Sequence, residues 1–523
     1  MNSNKIALRL TKIFSLIFGI TFSGLLTCII ISGYEREGNS DTYSCSMLQH
    51  YAILVAAIML TAVFTAVYIF FFRNKTPKLS NKNLLHNSNF IILIAVFAMF
   101  IVQLAMGYLL LFDPSTDVGI VNEYALDFAK TGNFDLIQRK YDAGNYYLIR
   151  YPNNHSIVFF LAFFYRISYL LIGSVPRYLP VFLNVIAINL SVLMTVLLSR
   201  RLLGERKSLF VLLLCALFAP FYTYTAYFYT DSLSLPLSVG IVYFLSTSIG
   251  TERRRRRYIF FALCGALMFL GFKMKGSLII MFVGAVVYLF LKIDLKRALC
   301  AFLAIVIGFG SLYAICTAVY KSSGIISEQQ AYECEYPATH WIMMSMKGYG
   351  NYNLADSEFT MSFKNKDEKR AANIDEIKSR LKKMGVKGLI THTAKKAVWT
   401  WEDGTYFISH HIEKARNENV LHEFVLNKGI HHFIFYAYSC GFQLFILFMM
   451  IMSSVKAYKR RELNMMTLIR GLVFGIFVFL LIWETRSRYL YNFTPFFLIL
   501  AADGLDMFSQ YFLKHPQELP DGQ

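Results

Sequence analysis

The sequence DPSTDVGIVNEYALDFAKTGNFDLIQRKYDAGNYYLIRYPNNH (residues 113–155) is the stretch on which the fold depends. It is polar and carries several acids, yet it lies between two strongly apolar segments and begins where a membrane helix is expected to end. A carboxylate at such a boundary meets water, lipid and protein of low polarity, which suits a base acting on a lipid-linked substrate. We therefore predict that residues 113–155 form a catalytic loop at the membrane surface.

The composition of the whole chain is that of a membrane protein. Of its 523 residues, 56% are hydrophobic and only 16% are charged, whereas a soluble protein carries roughly a quarter charged residues. The net charge of +19 does not indicate a nucleic-acid-binding protein, because the Lys and Arg residues fall in short runs between apolar segments. We predict an all-α polytopic membrane protein that contacts membrane lipids and no nucleic acid.

The first apolar run and the cysteines are interpreted as parts of a membrane bundle. Residues 13–31 form a run that is long for a signal peptide and has no small-residue cleavage site, which predicts an uncleaved first helix. The eight cysteines show no CxxC pair and no metal-ligand spacing. Only Cys45 and Cys334 fall in segments that we place outside the membrane, and a disulfide between them is left open.

Basic runs between the apolar segments predict the topology. If the apolar window at 153–173 crossed the membrane, the basic runs 200–207 and 253–257 would lie outside, against the positive-inside rule. If that window lies along the outer surface or re-enters, these runs and those at 292–297 and 456–461 are all cytoplasmic. The pattern therefore favours a plasma-membrane protein with about twelve spans and with both termini in the cytoplasm.

The chain is predicted to divide into four parts. Residues 1–88 add two helices to a membrane core at 89–320, which contains the loop 113–155. Residues 321–430 form the only stretch long enough for a soluble subdomain, and their charged segments and Gly-rich turns predict a small, mostly helical cap outside the membrane. Residues 431–523 supply the last membrane helices and a short cytoplasmic tail.

Three acids in the outer segments are candidate catalytic residues. Asp117 lies beside Gly119, where the backbone can approach a ligand closely, and it is our preferred base. Asp113 precedes Pro114, a place where Asp is often only a turn residue. Asp231 lies at the outer end of an aromatic-rich segment and is either a functional acid or a helix N-cap.

The segment GNYYLIRYPNNHS (144–156) supplies the first group of candidate substrate-binding residues. It places four polar or aromatic side chains at the start of the surface or re-entrant helix: Arg150, Tyr151, Asn154 and His155. These side chains suit a phosphate or a sugar, although a Tyr-Pro pair at a membrane boundary is often only an interfacial anchor.

Two basic turns supply the second group. Lys273 and Lys275 flank a break in an apolar stretch on the outer side, where they either bind a lipid-linked phosphate or reach anionic headgroups. The last outer turn, WETRSRYLYNFTP (483–495), offers arginine forks for a phosphate or a plain ion pair that closes the bundle. Its candidate residues are Glu484, Arg486, Arg488 and Tyr489.

As a set, these motifs resemble those of the GT-C glycosyltransferases, multispanning enzymes that use polyprenyl-phosphate or dolichyl-phosphate sugars. Relatives include the protein O-mannosyltransferases, the aminoarabinose transferases of lipid A and the oligosaccharyltransferase catalytic subunit. The likeness rests on YPNN at 151–154 and ETRSRY at 484–489, is closest to bacterial members, and covers roughly residues 91–505. It implies transfer of a sugar to a glycan, lipid or protein acceptor on the extracytoplasmic face.

The resemblance also implies roles for particular residues. Asp117, or Asp113 as its nearest substitute, would be the base, and Asp231 matches a second acid in the next outer loop. Lys275 would hold the lipid phosphate, and the segment after Asn154 would be a juxtamembrane helix. Because neither acid belongs to a DxD motif, a divalent ion such as Mg²⁺ or Mn²⁺ is left open, with cationic side chains as the alternative that stabilises the leaving phosphate.

Two other functions compete with a transferase. A transporter or flippase for a lipid-linked saccharide would use the same cations, but it predicts functional charges in both leaflets and inverted repeats. A silent scaffold would make the outer acids and cations dispensable together. Walker A, GxGxxG, HExxH and GxSxG motifs do not occur, which disfavours ATP-driven transport, dehydrogenase, zinc protease and lipase functions.

Overall fold

The computed structural model describes residues 2–32, 46–73, 81–322 and 325–512. The structure is 82% helical, and within these ranges the only β-type pairing is an isolated bridge between Phe112 and Ala415. The predicted all-α class is confirmed. Cys45 lies outside the described residues, so its pairing with Cys334 stays a prediction.

The helices form five groups along the chain. The first group is α1 (Asn2–Ser32), α2 (Met47–Val67) and α3 (Asn81–Leu109). The second is α4 (Thr116–Thr131), α5 (Asp135–Asp142), α6 (Tyr147–Arg150) and α7 (His155–Ile172). The third is α8 (Leu179–Leu203), α9 (Glu205–Leu217), α10 (Pro220–Thr223), α11 (Thr230–Leu233), α12 (Leu235–Ile249), α13 (Arg254–Met274), α14 (Ile279–Lys292) and α15 (Leu295–Ser322).

The last two groups are the outer segment and the final membrane helices. The outer segment contains α16 (Glu328–Cys334), α17 (Ala338–Met344), α18 (Leu354–Met361), α19 (Lys366–Trp401), α20 (Ile408–His411) and α21 (Val420–Val425). The chain then forms α22 (His432–Arg460), α23 (Met465–Ile482) and α24 (Thr494–Phe508). A π-helical turn follows α2 at Tyr68–Arg73, and 3₁₀ turns occupy Pro152–Asn154, Gly276–Leu278, Ser487–Phe493 and Ser509–Phe512.

Within the described ranges, ten helices are long and apolar enough to span a membrane, judged by length and composition. They are Ala7–Ser32, Met47–Phe72, Ser88–Leu109, Pro152–Ile172, Leu179–Leu203, Thr230–Ile249, Arg254–Met274, Leu295–Lys321, His432–Arg460 and Met465–Ile482. Their outward faces carry many exposed large apolar side chains, such as Ile20, Ile58 and Leu93. Because soluble proteins rarely expose so extensive an apolar surface to water, the chain is an integral membrane protein.

The pairing of α3 with α8 shows that α7 does not cross the membrane. Near the end of α3, the Tyr178 hydroxyl donates to the Leu104 carbonyl at 2.5 Å. Near the start of α3, Arg200 Nη1 donates to Asn89 Oδ1 at 2.7 Å. The two helices are therefore antiparallel. The segment between them, which contains α7, starts and ends on the same side of the bundle. This agrees with the surface or re-entrant helix that the basic runs require.

Three shorter helices complete the crossings. Helix α9 begins with Glu205 beside Arg200, at 2.7 Å, and ends at Leu217, whose carbonyl accepts from Tyr438 near the start of α22. Helix α14 follows Lys275 and ends at Lys292, which donates to the Leu463 carbonyl at 2.8 Å. When α7 is left out and α9, α14 and α24 are added, the ten spans become twelve passes among the described residues.

The contacts place all the basic runs at one end of the bundle. Lys207 pairs with Asp506 at 2.8 Å, and Lys12 lies 4.7 Å from the Tyr458 ring. We call this end the basic side. The opposite end, where the segment 113–155 and the turn before α24 lie, is called the pocket side. The basic side holds the runs 200–207, 253–257, 292–297 and 456–461.

The outer segment from residue 325 to residue 431, which we call the cap, lies on the pocket side. Its Tyr336 amide donates to the Arg150 carbonyl at 3.3 Å, and its Gly350 carbonyl accepts from the Thr485 amide at 2.8 Å. Its longest helix, α19, is kinked at Gly385, which has φ 59°. The cap therefore contacts both the loop before α7 and the last turn before α24.

Candidate functional site

Asp117 lies in the first turn of α4, on the pocket side. The preceding residue, Thr116, enters the helix with φ 54°, a conformation that a β-branched residue rarely adopts. Asp117 Oδ1 accepts a hydrogen bond from the Tyr147 hydroxyl at 2.5 Å, and its side chain is 39% exposed. A carboxylate near a helix N-terminus is stabilised as an anion. Asp117 is thus a charged acceptor that is held in place and still open to a substrate.

A chain of hydrogen bonds leads from Asp117 into the bundle. Asn154 Nδ2 donates to the Tyr147 hydroxyl oxygen at 2.9 Å, and the Tyr229 hydroxyl donates to Asn154 Oδ1 at 2.8 Å. Burial raises the pKa of Tyr147, and the neighbouring Asp117 raises it further, so the phenol stays protonated as a donor. The YPNN segment therefore contributes Asn154 to the orientation of Asp117.

Arg488 faces Asp117 from the last outer turn. Its Nη2 lies 4.0 Å from Asp117 Oδ2, and its Nη1 donates to the Tyr227 hydroxyl at 3.1 Å. The guanidinium also lies 5.7 Å from the Tyr229 ring and 5.2 Å from the Tyr489 ring. Its Nε is buried and has no hydrogen-bond partner. Arg488 is therefore a buried cation with an unused donor beside the candidate base.

Lys275 and Asp231 form the second charged pair. Lys275 Nζ lies 2.6 Å from Asp231 Oδ1 and 4.4 Å from the Tyr489 ring. Asp231 is fully buried, and its Oδ2 has no hydrogen-bond partner among the residues that the structure describes. Burial lowers the pKa of Lys275, and the Asp231 carboxylate opposes that shift. An orphaned carboxylate oxygen at zero exposure is costly, which indicates that another group completes this site.

Glu484 and Arg486 extend the cluster toward the cap. Glu484 is buried, and burial raises the pKa of its carboxyl while Arg486 and Arg488 oppose the shift. Arg486 lies 4.7 Å from the Phe407 ring of the cap. The cluster thus brings two arginines, Arg486 and Arg488, beside the buried carboxyl group of Glu484.

A strained turn of the cap supports Arg486. Tyr406 and Phe407 have φ of 55° and 66°, two consecutive left-handed residues that are not glycine. Asp403 holds this turn by accepting from the Phe407 amide at 2.8 Å and from the Ser487 hydroxyl at 2.7 Å. The same carboxylate thus ties the cap to the turn that carries the arginines.

Several residues of the site were not predicted from the sequence. His411 stacks on Tyr227 with ring centroids 4.2 Å apart, and its Nε2 lies 3.5 Å from Arg488 Nη1. Burial lowers the pKa of His411 well below its usual range, and Arg488 and Arg486 lower it further, so the ring is neutral. Tyr147, Tyr227 and Tyr229 were also not predicted as residues of the site. The alternating tyrosines of YTYTAYFY (222–229) are the one sequence signal for Tyr227 and Tyr229.

The structure does not bring three predicted residues into the cluster. The exposed Asp113 donates its backbone amide to the Lys414 carbonyl at 2.9 Å and lines a different cavity. His155 Nε2 bonds the Leu148 carbonyl at 2.7 Å and stacks on Tyr320. Lys273 is exposed, and no ion pair joins it to any described residue.

Arg150 and Tyr151 lie at the edge of the site, against the cap. The Arg150 guanidinium is 5.6 Å from the Tyr336 ring, and its Nε is buried without a partner. The Tyr151 ring centroid is 4.9 Å from that of Tyr147 and 5.9 Å from that of Trp341. Tyr151 therefore joins the Tyr147 ring, which carries the donor to Asp117, to the aromatic residues of the cap.

The donor set does not fit a bound divalent ion. Among the described residues, no three His, Cys, Asp or Glu side chains come together as a metal site. Mg²⁺ and Mn²⁺ prefer several oxygen ligands, and the two carboxylates of the site, Asp117 and Asp231, each have one oxygen engaged by Tyr147 or Lys275, which leaves too few carboxylate oxygens for such a site. We therefore assign no part of the reaction to a metal ion.

Comparison with known proteins gives a family and two distant likenesses. A family profile described as conserved hypothetical integral membrane protein matches residues 4–507, and no curated protein matches the chain. The chain is similar to ArnT from Cupriavidus metallidurans bound to undecaprenyl phosphate, at 11% identity and a TM-score of 0.31, over 82% of this chain and 78% of that one. It is also similar to the archaeal oligosaccharyltransferase AglB from Archaeoglobus fulgidus in complex with an inhibitory peptide and a dolichol-phosphate, at 12% identity and a TM-score of 0.35, over 91% of this chain and 53% of that one.

Proposed function

The chain belongs to the family of conserved hypothetical integral membrane proteins, and we propose that it is a glycosyltransferase that moves a sugar from a polyprenyl-phosphate donor to an acceptor hydroxyl. One observation carries the proposal: the partly exposed Asp117 carboxylate lies 4.0 Å from the buried Arg488 guanidinium. Sugar transfer from a phosphate needs a base for the nucleophile and a cation for the leaving group. Asp117 and Arg488 are close enough to contact the two ends of the same reacting bond.

The proposed step uses Asp117 as the general base. The acceptor oxygen attacks the anomeric carbon in line, the bond from that carbon to the phosphate oxygen breaks, and the electron pair stays on the phosphate. Asp117 takes the hydroxyl proton, with its other oxygen held by Tyr147 at 2.5 Å. The products are the glycosylated acceptor and polyprenyl phosphate. A positioned base contributes about 10²- to 10⁴-fold to such a rate.

The cations of the cluster would stabilise the departing phosphate. Arg488 keeps one buried N–H free, and Lys275 lies in the same cluster, since both contact the Tyr489 ring. Fixed charges in a water-poor pocket act without reorganisation at the moment of reaction. An incoming phosphate would meet Lys275 and Arg488 on either side of the Tyr489 ring, and both side chains suit a phosphate oxygen.

The basic runs orient this reaction in the cell. The positive-inside rule assigns the basic side to the cytoplasm, so the pocket side, with the cap, would be extracytoplasmic. The prenyl chain of the donor would lie against the membrane passes, and the acceptor would approach from the cap. The acceptor is then a glycan, lipid or protein outside the plasma membrane, in keeping with a bacterial enzyme.

Substitution Asp117→Asn tests the proposal. We expect transfer from a labelled undecaprenyl-phosphate sugar to fall by about 100-fold or more, while binding of undecaprenyl phosphate to the purified protein is retained. The matched control is Glu123→Gln on the same helix, since Glu123 is half exposed and its ion pair among the described residues is with Lys140. Unchanged transfer in Asp117→Asn, or an equal loss in the control, would contradict the assigned base.

The rival function is a transporter or flippase of a lipid-linked saccharide. One observation favours it, because buried charges also occur on the basic side, where Lys456 lies 2.6 Å from Asp503. A transporter would move labelled lipid across a vesicle bilayer without forming a new glycosidic bond. A flip assay in proteoliposomes with no acceptor therefore separates the two functions.

A further inference from the structure

A cavity of about 440 Å³ lies next to the candidate site, on the other side of residues 226–229. Asn122, Leu126 and Lys130 line it at intervals of four residues, so it occupies one face of α4. Asp117, five residues before Asn122, lies on the opposite side of α4 and contacts Tyr147 instead. The cavity is therefore a separate space that shares α4 with the candidate site.

The segment 226–229 forms the wall between the two spaces. Ala226 and Phe228 line the cavity, whereas the alternate residues Tyr227 and Tyr229 contact Arg488. Phe112 also lines the cavity, and its ring stacks on Tyr227 with centroids 6.3 Å apart. Any occupant is thus separated from the reacting groups by one layer of aromatic side chains.

The charge of the cavity is positive. Lys130, Arg177 and Arg416 line it, and none of them has a carboxylate within 4.0 Å among the described residues. Asp113 is the acid in the lining. Three cations against one carboxylate leave an excess of two positive charges, which matches a phosphate group that two arginine forks and a lysine can bind.

The surroundings of the cavity are those of a lipid rather than of a soluble anion. The Arg177 loop lies at the outer ends of α3 and α8, where Tyr178 bonds Leu104 at 2.5 Å. The neighbouring helix ends expose large apolar side chains to the membrane, including Tyr108 at 64%, Leu171 at 78% and Ile172 at 61%. Apolar side chains at the lipid boundary beside a cationic cavity are what a headgroup and its acyl chains require.

We propose that this cavity holds the phosphate headgroup of an anionic membrane lipid, with the acyl chains along the exposed ends of α3 and α7. The proposal goes beyond the transfer reaction and does not depend on it, because the cavity is defined by its own cations and walls. A lipid bound there would pack against Phe112, Phe228 and the outer face of α4, and so would brace the helix that carries Asp117.

The test is lipid binding to the purified full chain in a neutral detergent. The probes are dioleoyl phosphatidylglycerol, dioleoyl phosphatidylcholine and glycerol 3-phosphate, with bound lipid counted by native mass spectrometry. In the double variant Arg177→Gln/Arg416→Gln, we expect affinity for phosphatidylglycerol to fall about tenfold or more, with binding of phosphatidylcholine unchanged. Both side chains are exposed, so the variant is expected to fold.

The matched control is Lys414→Gln/Lys428→Gln, which removes the same charge from exposed lysines of the cap that do not line the cavity. An equal loss of phosphatidylglycerol binding in this control would overturn the proposal, as would wild-type affinity in the arginine variant. Displacement of phosphatidylglycerol by equimolar glycerol 3-phosphate would overturn the lipid assignment. Retained lipid binding in Asp117→Asn keeps this test independent of the transferase proposal.

Discussion

Two clusters of buried charge lie at opposite ends of the same bundle, and they differ in how completely their carboxylates are bonded. On the basic side, Asp503 accepts from Lys456 at 2.6 Å and from Ser453 at 2.6 Å, so both of its oxygens are used. Asp506 accepts from Tyr68, Lys456 and Lys207. On the pocket side, Asp231 keeps one buried oxygen without a partner.

The difference indicates which cluster holds a ligand. A buried ionic network whose carboxylates are saturated stabilises a fold only while it is complete, and it offers nothing to a substrate. A buried network with an orphaned carboxylate oxygen and an orphaned Arg488 N–H is incomplete until something binds. Among the described residues, the basic side also leaves two donors without partners, Arg200 Nε and Arg470 Nε, but the oxygens of Asp503 and Asp506 all accept hydrogen bonds. We therefore assign structure to the basic side and chemistry to the pocket side.

This comparison bears directly on the transporter alternative. Transport by alternating access needs charges that can bind an anion from each side in turn. Buried cations are present at both ends, which the sequence did not indicate, but those on the basic side are engaged by Asp503 and Asp506. The structural asymmetry thus favours a reaction at one face.

The largest effect is expected from opening the closed cluster. In Lys456→Gln, Asp503 and Asp506 lose their shared cation while still buried, so we expect a loss of about 3–5 kcal/mol in the free energy of unfolding. The measurement is the midpoint of thermal unfolding in detergent. Lys459→Gln removes an exposed charge three residues away and is expected to stay within about 0.5 kcal/mol. A wild-type midpoint in Lys456→Gln would remove the structural role.

A smaller effect, on activity rather than on stability, is expected from neutralising the pocket-side pair of Asp231 and Lys275. The double variant Asp231→Asn/Lys275→Gln keeps hydrogen-bonding groups at both positions, so we expect it to fold while transfer drops about 100-fold. Lys273→Gln is the control, because this lysine is exposed two residues away. Equal activity in the double variant and the control would show that the pocket-side pair is only structural.

Tyr147→Phe should have a smaller effect still. It removes the hydroxyl that donates to Asp117 at 2.5 Å and leaves the ring in place. A hydrogen bond to a charged group contributes about 1.5–3 kcal/mol, and since Asp117 itself is retained we expect the lower end of this range, a fall of about tenfold in kcat. Tyr146→Phe, on the adjacent residue, is the control. Loss of folded protein rather than of kcat would assign Tyr147 to stability instead of to the orientation of Asp117.

Much of the architecture could be predicted from the sequence, because apolar length and basic runs are local signals. The runs at 200–207 and 253–257 alone required that α7 stay on one side, and the antiparallel pairing of α3 with α8 agrees. The length and charge of residues 321–430 likewise predicted a small, mostly helical segment between membrane helices, and the structure has the helices α16 to α21 there. These features depend on the solvent that each segment meets, not on distant contacts.

The choice between neighbouring candidates could not be made from sequence. Asp113 and Asp117 are four residues apart, but Asp113 is paired by its backbone with Lys414 of the cap, and this long-range contact decides where α4 begins. Lys273 and Lys275 differ because α13 ends at Met274, so that Lys275 is extended and turns toward Asp231. His411 joins the site only through the folding of the cap onto Tyr227.

The smallest effect concerns Lys396, a buried cap lysine that holds the turn before the open cluster. Its ammonium donates to the carbonyls of Leu481 and Trp483 at 3.2 Å and 2.6 Å, at the end of α23. Burial lowers the pKa of Lys396 to about 7, from an ordinary value of 10.5, while Glu484 opposes the shift.

The unfolded chain therefore binds more protons than the folded protein between these two values, and the free energy of unfolding should rise with pH across that window. We expect the thermal midpoint of the wild type to increase between about pH 7 and pH 9, and this increase to be smaller in Lys396→Met. Lys395→Met, which removes the adjacent exposed lysine, should keep the wild-type dependence. An identical pH dependence in Lys396→Met would show that Lys396 does not titrate in this range, and the turn would then owe its position to the Thr485 and Gly350 contact.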